Sequence, residues 1–395
     1  MTSPELDGAN PADHALDWIL TCLKLRWRPS PSAVRPKNPA DAFWEAVKAL
    51  APEHRVAGLL YRQALTHPTL FPKELARWLG WVHTARLLRF EHWHDEVCQV
   101  LEALIGAQVP VIVLKGWAFI ATLYEGDPGQ RPVTDLDLLV PAGEVDRVQS
   151  VLASLNYPMI SSEPWPGFSQ RYSYDMAYRR PSDGKPPFHV DLHWRLLIVP
   201  YYERIPIEDW FVRAQPARVA GVEALVPAPE DHLVYLCGHL ALHHRYSPAL
   251  FRYHDMAVLI HHTGDVLDWD AVVQRAVDWR LVIPLQRTLA RLGELWPETV
   301  PAGVAQEVAG LQPTRAERWI HEWVVGRPPN PTSDALLSLA TMPGLGRRVR
   351  FVLEQAFPSP AYMRQRYCPQ RPGLWPLAYL QRASLGLQYL LRRLR

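Results

Sequence analysis

Arg131-Pro132-Val133-Thr134-Asp135-Leu136-Asp137-Leu138-Leu139-Val140 is the stretch on which the reading of this chain turns. The apolar run over 136–140 has the length of a strand and is closed by Pro141-Ala142-Gly143. Side chains alternate across a strand, so Asp135 and Asp137 leave one face while Leu136 and Leu138 leave the other, toward a core. Two carboxylates side by side repel each other unless a cation sits between them. Mg²⁺ takes hard oxygen ligands, through one or two carboxylates and the phosphates of a substrate. A strand of this pattern is a natural seat for a metal–nucleotide complex. Taken alone it also fits a solvated strand end.

Upstream, the β-branched run over 109–114 stops at Lys115-Gly116, and a helix is expected over 117–124. Glycine lets a backbone approach a phosphate, a helix N-terminus favours anions, and Lys115 adds a positive charge. An ordinary strand-to-helix turn would look the same. Downstream, His189-Val190-Asp191-Leu192-His193-Trp194 alternates again, which places His189, Asp191 and His193 on one face. Asp191 can supply a third carboxylate from a neighbouring strand, or pair at the surface with Arg195. Three convergent carboxylates hold two metal ions, which stabilise the attacking and leaving oxygens of an in-line displacement. A helix over 144–155, a strand over 171–179 and a turn over 181–187 complete a small α/β unit spanning 108–204.

The flanks read as helical. Residues 12–27 and 41–106 have helical spacing, with Phe43, Val47 and Leu50 on one face and Val97, Val100, Leu101 and Leu104 on another. A proline-rich loop over 30–40 separates them, within a helical region of 1–107. After about residue 205 the helical period returns, over 229–244, 252–262, 268–279, 284–295 and 302–324, in a C-terminal helical region of 205–395. Its tail, 374–395, is amphipathic and basic, with Arg382, Arg392, Arg393 and Arg395. Such a tail caps a helical domain or touches a membrane surface peripherally. The fold class expected is α+β, a small mixed sheet flanked by N- and C-terminal helical regions.

A net charge of +2 gives no electrostatic argument for nucleic acid. Cys22, Cys98, Cys237 and Cys368 form no closely spaced pair, which reads as reduced thiols rather than a disulfide framework or a zinc ribbon. A polar, acidic start shows no secretory signal, and no run of about 18 apolar residues is present to span a membrane. The expected location is cytoplasmic. A nucleophile elbow, a Walker loop and a full dinucleotide fingerprint are all absent. His239 and His243 are spaced i,i+4 with His244 beside them, but no glutamate follows His239, so the zinc-protease pattern fails. A helix lining a cleft is the reading preferred to a His-cluster metallohydrolase. Arg252 and Asp255, three apart, are expected to pair on their helix.

The string LKG…LY…RPVTDLDLLV…HVDLHW resembles the bacterial nucleotidyltransferase family of the polymerase-β superfamily. More distantly it resembles the abortive-infection toxin nucleotidyltransferases, which share a KG…R…DxD pattern. The likeness extends to ALAPEHRVAGLLYRQAL, to the helical segment with His239 and Asp255, and to FPSPAYMRQRY. It implies a polymerase-β-type core that moves a nucleoside monophosphate from an NTP to a hydroxyl acceptor, which could be a small molecule, a protein or an RNA end, with two Mg²⁺ ions. Asp135 and Asp137 match the metal-binding acids, and Asp191 matches the third acid, a metal ligand that helps deprotonate the acceptor. Gly116 matches the phosphate-loop glycine, with Lys115 beside it, and Arg131 matches the arginine before the acids. Trp117 follows Gly116 where the broader superfamily usually has serine. That departure supports an alternative reading, a nucleotide-binding accessory protein without turnover, for instance in a peptide natural-product pathway. The leading reading places all three acids on adjacent strands, about 4–7 Å apart, so that shared cations can bridge them. It also expects repulsion between them to raise at least one carboxylate pKa.

Overall fold

The alternating acids and leucines form strand β2 (Asp135–Leu139), and the second alternating stretch forms β4 (His189–His193). Four more strands join them: β1 (Ile112–Val113), β3 (Asp175–Arg179), β5 (Gln215–Val219) and β6 (Val222–Val226). The computed structural model describes residues 10–28, 36, 41–181, 187–328, 331–367, 372–382 and 384. Among these the strands make one mixed sheet of order β3-β4-β2-β1-β6-β5. β2 runs parallel to β4, and β1 parallel to β6; the β1–β2, β3–β4 and β5–β6 pairs are antiparallel.

Ahead of the sheet come α1 (Pro11–Lys24), α2 (Asp41–Glu53), α3 (Ala57–Thr66) and the long α4 (Lys73–Gly106). Within the sheet segment lie α5 (Lys115–Thr122), α6 (Val145–Ser154), the short α7 (Phe168–Tyr172) and α8 (Ile207–Arg213). After it, α9 (Pro229–Leu242), α10 (Leu250–Thr263), α11 (Trp269–Asp278), α12 (Val282–Leu295), α13 (Ala302–Gly310) and α14 (Arg315–Val325) follow. The described chain ends with α15 (Pro331–Thr341), α16 (Leu345–Ala356), α17 (Pro360–Tyr367) and a short helical stretch beyond it.

One face of the sheet is apolar. Leu136, Leu138, Val190 and Leu192 join Val97, Val100, Leu101 and Leu104 of α4 and Val145, Val148 and Leu152 of α6 in one core cluster. A larger cluster knits α1–α3 to α9, α10 and α12, and takes Ile112 and Leu139 from the sheet and Leu114 from the β1–α5 junction. The opposite face of β2 and β4 carries the acids.

Three sequence expectations change. The alternating segment expected over 171–179 enters β3 only at Asp175, because 168–172 closes into α7. The helix expected over 302–324 is two helices parted at 311–314, where Pro313 cannot donate to a helical ladder. A helical region was expected from about residue 205, yet β5 and β6 add a hairpin there. Its two-residue turn, Ala220-Gly221, has φ of 48° and 79°, the positive values that such a turn demands. The turn at 182–186, most of the 30–40 loop, Cys368, and Arg392, Arg393 and Arg395 of the tail lie outside the described residues.

Candidate active site

Parallel pairing of β2 with β4 sets Asp135 opposite His189 and Asp137 opposite Asp191. Neighbouring strands lie about 4.8 Å apart and paired residues share a face, so these carboxylates stand side by side. Asp135, Asp137 and Asp191 line one cavity of ≈ 440 Å³ together with Lys115, Gly116 and Arg131. That volume suits a small-molecule ligand, for which pockets run from about 300 to 1,000 Å³. The structure therefore brings together all six residues singled out in the sequence.

Their electrostatics differ sharply. Asp137 is 5% exposed. Burial pushes its pKa up, but Lys115 Nζ at 2.8 Å and His193 Nε2 at 3.1 Å, both on Oδ1, hold it well below the usual carboxylate range. Burial works against the charge of Lys115 in turn, and Asp137 outweighs it, keeping the ammonium protonated beyond its ordinary range. Asp135 is raised, by burial first and by the charge of Asp137 second. Asp191 is pushed up to about 7 by the same two causes in the same order. Repulsion between the acids is thus at work, but loss of water leads it. Asp191 does not pair with Arg195, whose guanidinium lies over the Tyr202 ring and donates to the Ser173 carbonyl.

The Lys115-Gly116 turn ends β1 at the same side of the sheet and opens α5. Lys115 has φ of 47°, an uncommon backbone conformation for a residue with a side chain. Its N–H donates to His232 Nε2. A Cβ on Gly116 would come within 2.7 Å of Val133 and 2.8 Å of the Arg131 guanidinium, so glycine here lets the segment leading into β2 cross the first turn of α5. Arg131 donates through Nε and NH2 to Asp255 Oδ2, at 3.1 and 2.9 Å. The expected pairing of Arg252 with Asp255 therefore does not form: Asp255 belongs to Arg131 and to Tyr124, whose hydroxyl donates to Oδ1 at 2.7 Å. After residue 205, α9 and α10 wall the cavity as expected; before residue 108, among the described residues, its lining comes from Arg55 in the α2–α3 connection and not from a helix.

Residues 40–297, more than half of the chain, match the family described as uncharacterised nucleotidyltransferase. The chain belongs to that family. Among curated proteins none matches the sequence. Solved structures similar to this nucleotidyltransferase-family chain include ANT(2″)-Ia in complex with adenylyl-2″-tobramycin, at 14% identity over 48% of this chain and 98% of that one, with a TM-score of 0.34. Another is an antigenic nucleotidyltransferase-like protein from Paracoccidioides brasiliensis, at 17% identity over 56% and 95%, with a TM-score of 0.33. Likenesses this low say nothing of what the chain binds.

In this member of the family the donor chemistry fits a hard cation: three carboxylates in one cavity, two of them raised in pKa by burial and by the charge of Asp137. Among the described residues, however, no three His, Cys, Asp or Glu side chains stand in ready metal-ligand geometry. The contacts of Asp137 give a reason, since its Oδ1 is taken by Lys115 and His193. The His239, His243 and His244 cluster lines the cavity as expected, and among the described residues these histidines belong to no group of three metal ligands. His239 Nε2 meets the Lys115 ammonium at 3.2 Å, and burial together with that charge drives its pKa far down, so it accepts a hydrogen bond as a neutral ring.

Several cavity residues escaped the sequence reading. Asp175 opens β3 opposite His193, Tyr174 precedes it, and Arg55 projects from between α2 and α3. Asp175 carries a pattern that alternation could have exposed, an acid on a strand pairing with HVDLH. Arg55 sits in the quoted ALAPEHRVAG string, but nothing in its spacing announces a cavity some 80 residues away in sequence. Tyr124 is the tyrosine of the LY pair, and its role as a brace for Asp255 needed the tertiary structure. His243 Nε2 is buried without a partner and lines the cavity, a polar atom available to a ligand.

Proposed function

We propose that the chain transfers a nucleoside monophosphate from an NTP to a hydroxyl acceptor, with the acids of β2 and β4 as its reactive face. The observation that carries this reading is the in-register pairing of Asp137 with Asp191, beside Asp135, in a single cavity. Asp135, Asp137 and Asp191 would hold two Mg²⁺ ions, which when bound neutralise charge on the transferring phosphoryl group and the departing pyrophosphate. Asp191 orients the acceptor hydroxyl and takes its proton. The hydroxyl oxygen forms a bond to the α-phosphorus, and the bond from that phosphorus to the bridging oxygen breaks. His193 and Lys115 hold the Asp137 carboxylate in place, and Arg131 is fixed beside the acids by Asp255. Tyr174, Asp175 and His243, beyond Asp191, form the acceptor side. The acceptor is a small molecule, or a protein side chain or RNA end slim enough for the cavity. A cytoplasmic location supplies the NTP and the cation.

The test is transfer of label from α-labelled but not γ-labelled NTP across an acceptor screen, in the parent chain and in Asp135→Asn. Label retained on an acceptor in the parent and lost in the variant supports the site. Transfer at the parental rate in Asp135→Asn shows the site to be misplaced.

The Lys115–Asp137 ion pair, with Trp117 following Gly116, favours a second reading: a chain that binds a nucleotide without turning it over. It expects NTP binding and no pyrophosphate release with any acceptor. Sustained pyrophosphate release rules it out.

A further inference from the structure

Three guanidiniums gather around one aromatic ring in the cavity. Arg252 lies 4.5 Å from the centre of the Phe251 ring, Arg55 4.6 Å and Arg131 5.5 Å. All four residues line the cavity that holds the acids. Phe251 is 5% exposed and serves as a fixed platform. The three cations come from separate parts of the chain: the α2–α3 connection, the approach to β2, and α10. Such a gathering costs free energy through mutual repulsion, in surroundings where water screens poorly.

Only one of the three is neutralised. Arg131 spends its charge on Asp255. Among the described residues neither Arg55 nor Arg252 makes an ion pair: Asp255 favours both charges, and Asp135 that of Arg55, without contact, and Arg252 has a long contact of 3.4 Å with His244. Burial, then the charges of Arg55 and Arg131, lowers the pKa of Arg252 to about 10. Burial and Arg131 lower Arg55 in the same direction. Behind them Arg86 is lowered to about 10 by burial and by Arg55. Arg55 is also held at φ of 59°, a backbone conformation that a residue with a side chain adopts at a cost. An anion in the middle would offset the repulsion among these cations.

The Lys115-Gly116 turn, by contrast, is already committed. Its ammonium is on Asp137, its first N–H is on His232, and its glycine is covered by Val133 and Arg131. We propose that Arg55 and Arg252, braced by Arg131, grip the polyphosphate tail of the nucleotide, in place of the Lys115-Gly116 turn. Guanidinium forks match phosphate oxygens in pairs, and the Phe251 ring keeps the forks oriented. The nucleotide then lies with its tail toward α10 and its α-phosphate over the acids. This inference rests on the proposed transfer reaction only for the identity of the tail.

The test uses inorganic tripolyphosphate as the probe, with the full chain in Mg²⁺-free buffer and calorimetry as the readout. Expected is stoichiometric binding that weakens as salt rises. Arg55→Gln and Arg252→Gln should each weaken it by about tenfold or more, the scale of one charge-assisted contact. The surface control Arg291→Gln should stay within about threefold of the parent. A second measurement needs no variant: tripolyphosphate should protect Arg55 and Arg252, but not Arg291, from phenylglyoxal, read by mass spectrometry of the intact chain's peptides. Absent binding, binding in both arginine variants equal to the parent's, or unprotected Arg55 and Arg252 overturns the proposal. If these failures accompany intact, Asp135-dependent label transfer, the subsite falls and the reaction stands. If the arginines bind tripolyphosphate and no acceptor ever takes label, the reaction falls and the subsite stands.

Discussion

β2 and β4 carry two opposite chemistries on alternate residues. On one face Leu136, Leu138, Val190 and Leu192 are fully buried against α4 and α6. On the other, one residue over, Asp135, Asp137 and Asp191 face a cavity, and burial and mutual repulsion raise the pKa of Asp135 and Asp191. The first face is where burial of apolar surface stabilises the fold. The second is where the fold tolerates a cost, and it can do so because the first face is well packed. Within the polar face there is a further split. Asp137 is held ionised by Lys115 and His193, whereas Asp191 is left with burial and a like-charged neighbour. The two acids share a register position and not an energetic role.

The largest expected effect comes from breaking the paired acid. Asp137→Asn should lower label transfer by at least about a hundredfold, the scale for removing one group that organises transition-state charge. It should also destabilise the chain by roughly 3 kcal/mol, since it strands Lys115 in a buried site. Both are read in one preparation, by transfer assay and by denaturant unfolding. An unchanged rate would leave the polar face without its assigned role.

Leu138→Ala, one residue away on the apolar face, should cost about 2–5 kcal/mol in unfolding free energy. Transfer per folded molecule should fall far less than in Asp137→Asn. If it falls as far, the two faces are not separable and the comparison fails.

The alternation of β2 and β4 was legible in the sequence because a period of two needs only neighbours in the chain. It located the apolar face, the acids and the strand they share, and both flanking helical regions followed from the same kind of reasoning. The β5–β6 hairpin was not legible as a strand pair. Its residues, QPARV and VEALV, are weakly apolar, and the Ala-Gly turn is less conspicuous than Asn-Gly. The partners of the site residues were hidden for a different reason. Lys115 reaching back to Asp137, Asp255 choosing Arg131 over Arg252, and Arg55 arriving from α2–α3 are contacts between residues far apart in sequence. Pairing Arg252 with Asp255 from their spacing assumed that local geometry decides. A buried tyrosine and a second arginine decided instead.

A smaller effect sharpens that point. Tyr124→Phe removes the hydroxyl that donates to Asp255 and meets His254 Nδ1 at 3.0 Å. It should cost about 1 kcal/mol of stability. Because Asp255 fixes Arg131, a crystal structure of the variant should show the Arg131 guanidinium shifted or spread over two positions. Unaltered Arg131 density would mean that Tyr124 is a packing residue only.

A further effect, confined to acid pH, is expected on stability. His254 is buried and its pKa is lowered to about 3, by burial first and the charge of Arg26 second. Its ordinary value is about 6.5, so over that window the unfolded chain binds a proton that the folded chain refuses. This contribution is present above about pH 6.5 and lost as pH falls toward 3. His254→Gln should make unfolding free energy less steep in pH over that range. An equally steep acid limb would assign it to other groups.

Asp191 offers the most direct test, because there the two roles of the polar face oppose each other. With its pKa near 7 in the fold and about 3.9 in an unfolded chain, the folded state holds the proton more tightly. Stability from this group is full below about pH 4 and is lost as pH rises through 7. The measurement is the melting temperature of Asp191→Asn and its parent in EDTA, at pH 8 and pH 5, alongside label transfer in Mg²⁺. The expected result is a variant more stable than the parent at pH 8, by a smaller margin at pH 5, and at least about a hundredfold slower in transfer. A variant that melts lower at pH 8 and still transfers label at the parental rate would contradict the assignment of this face to nucleotide chemistry.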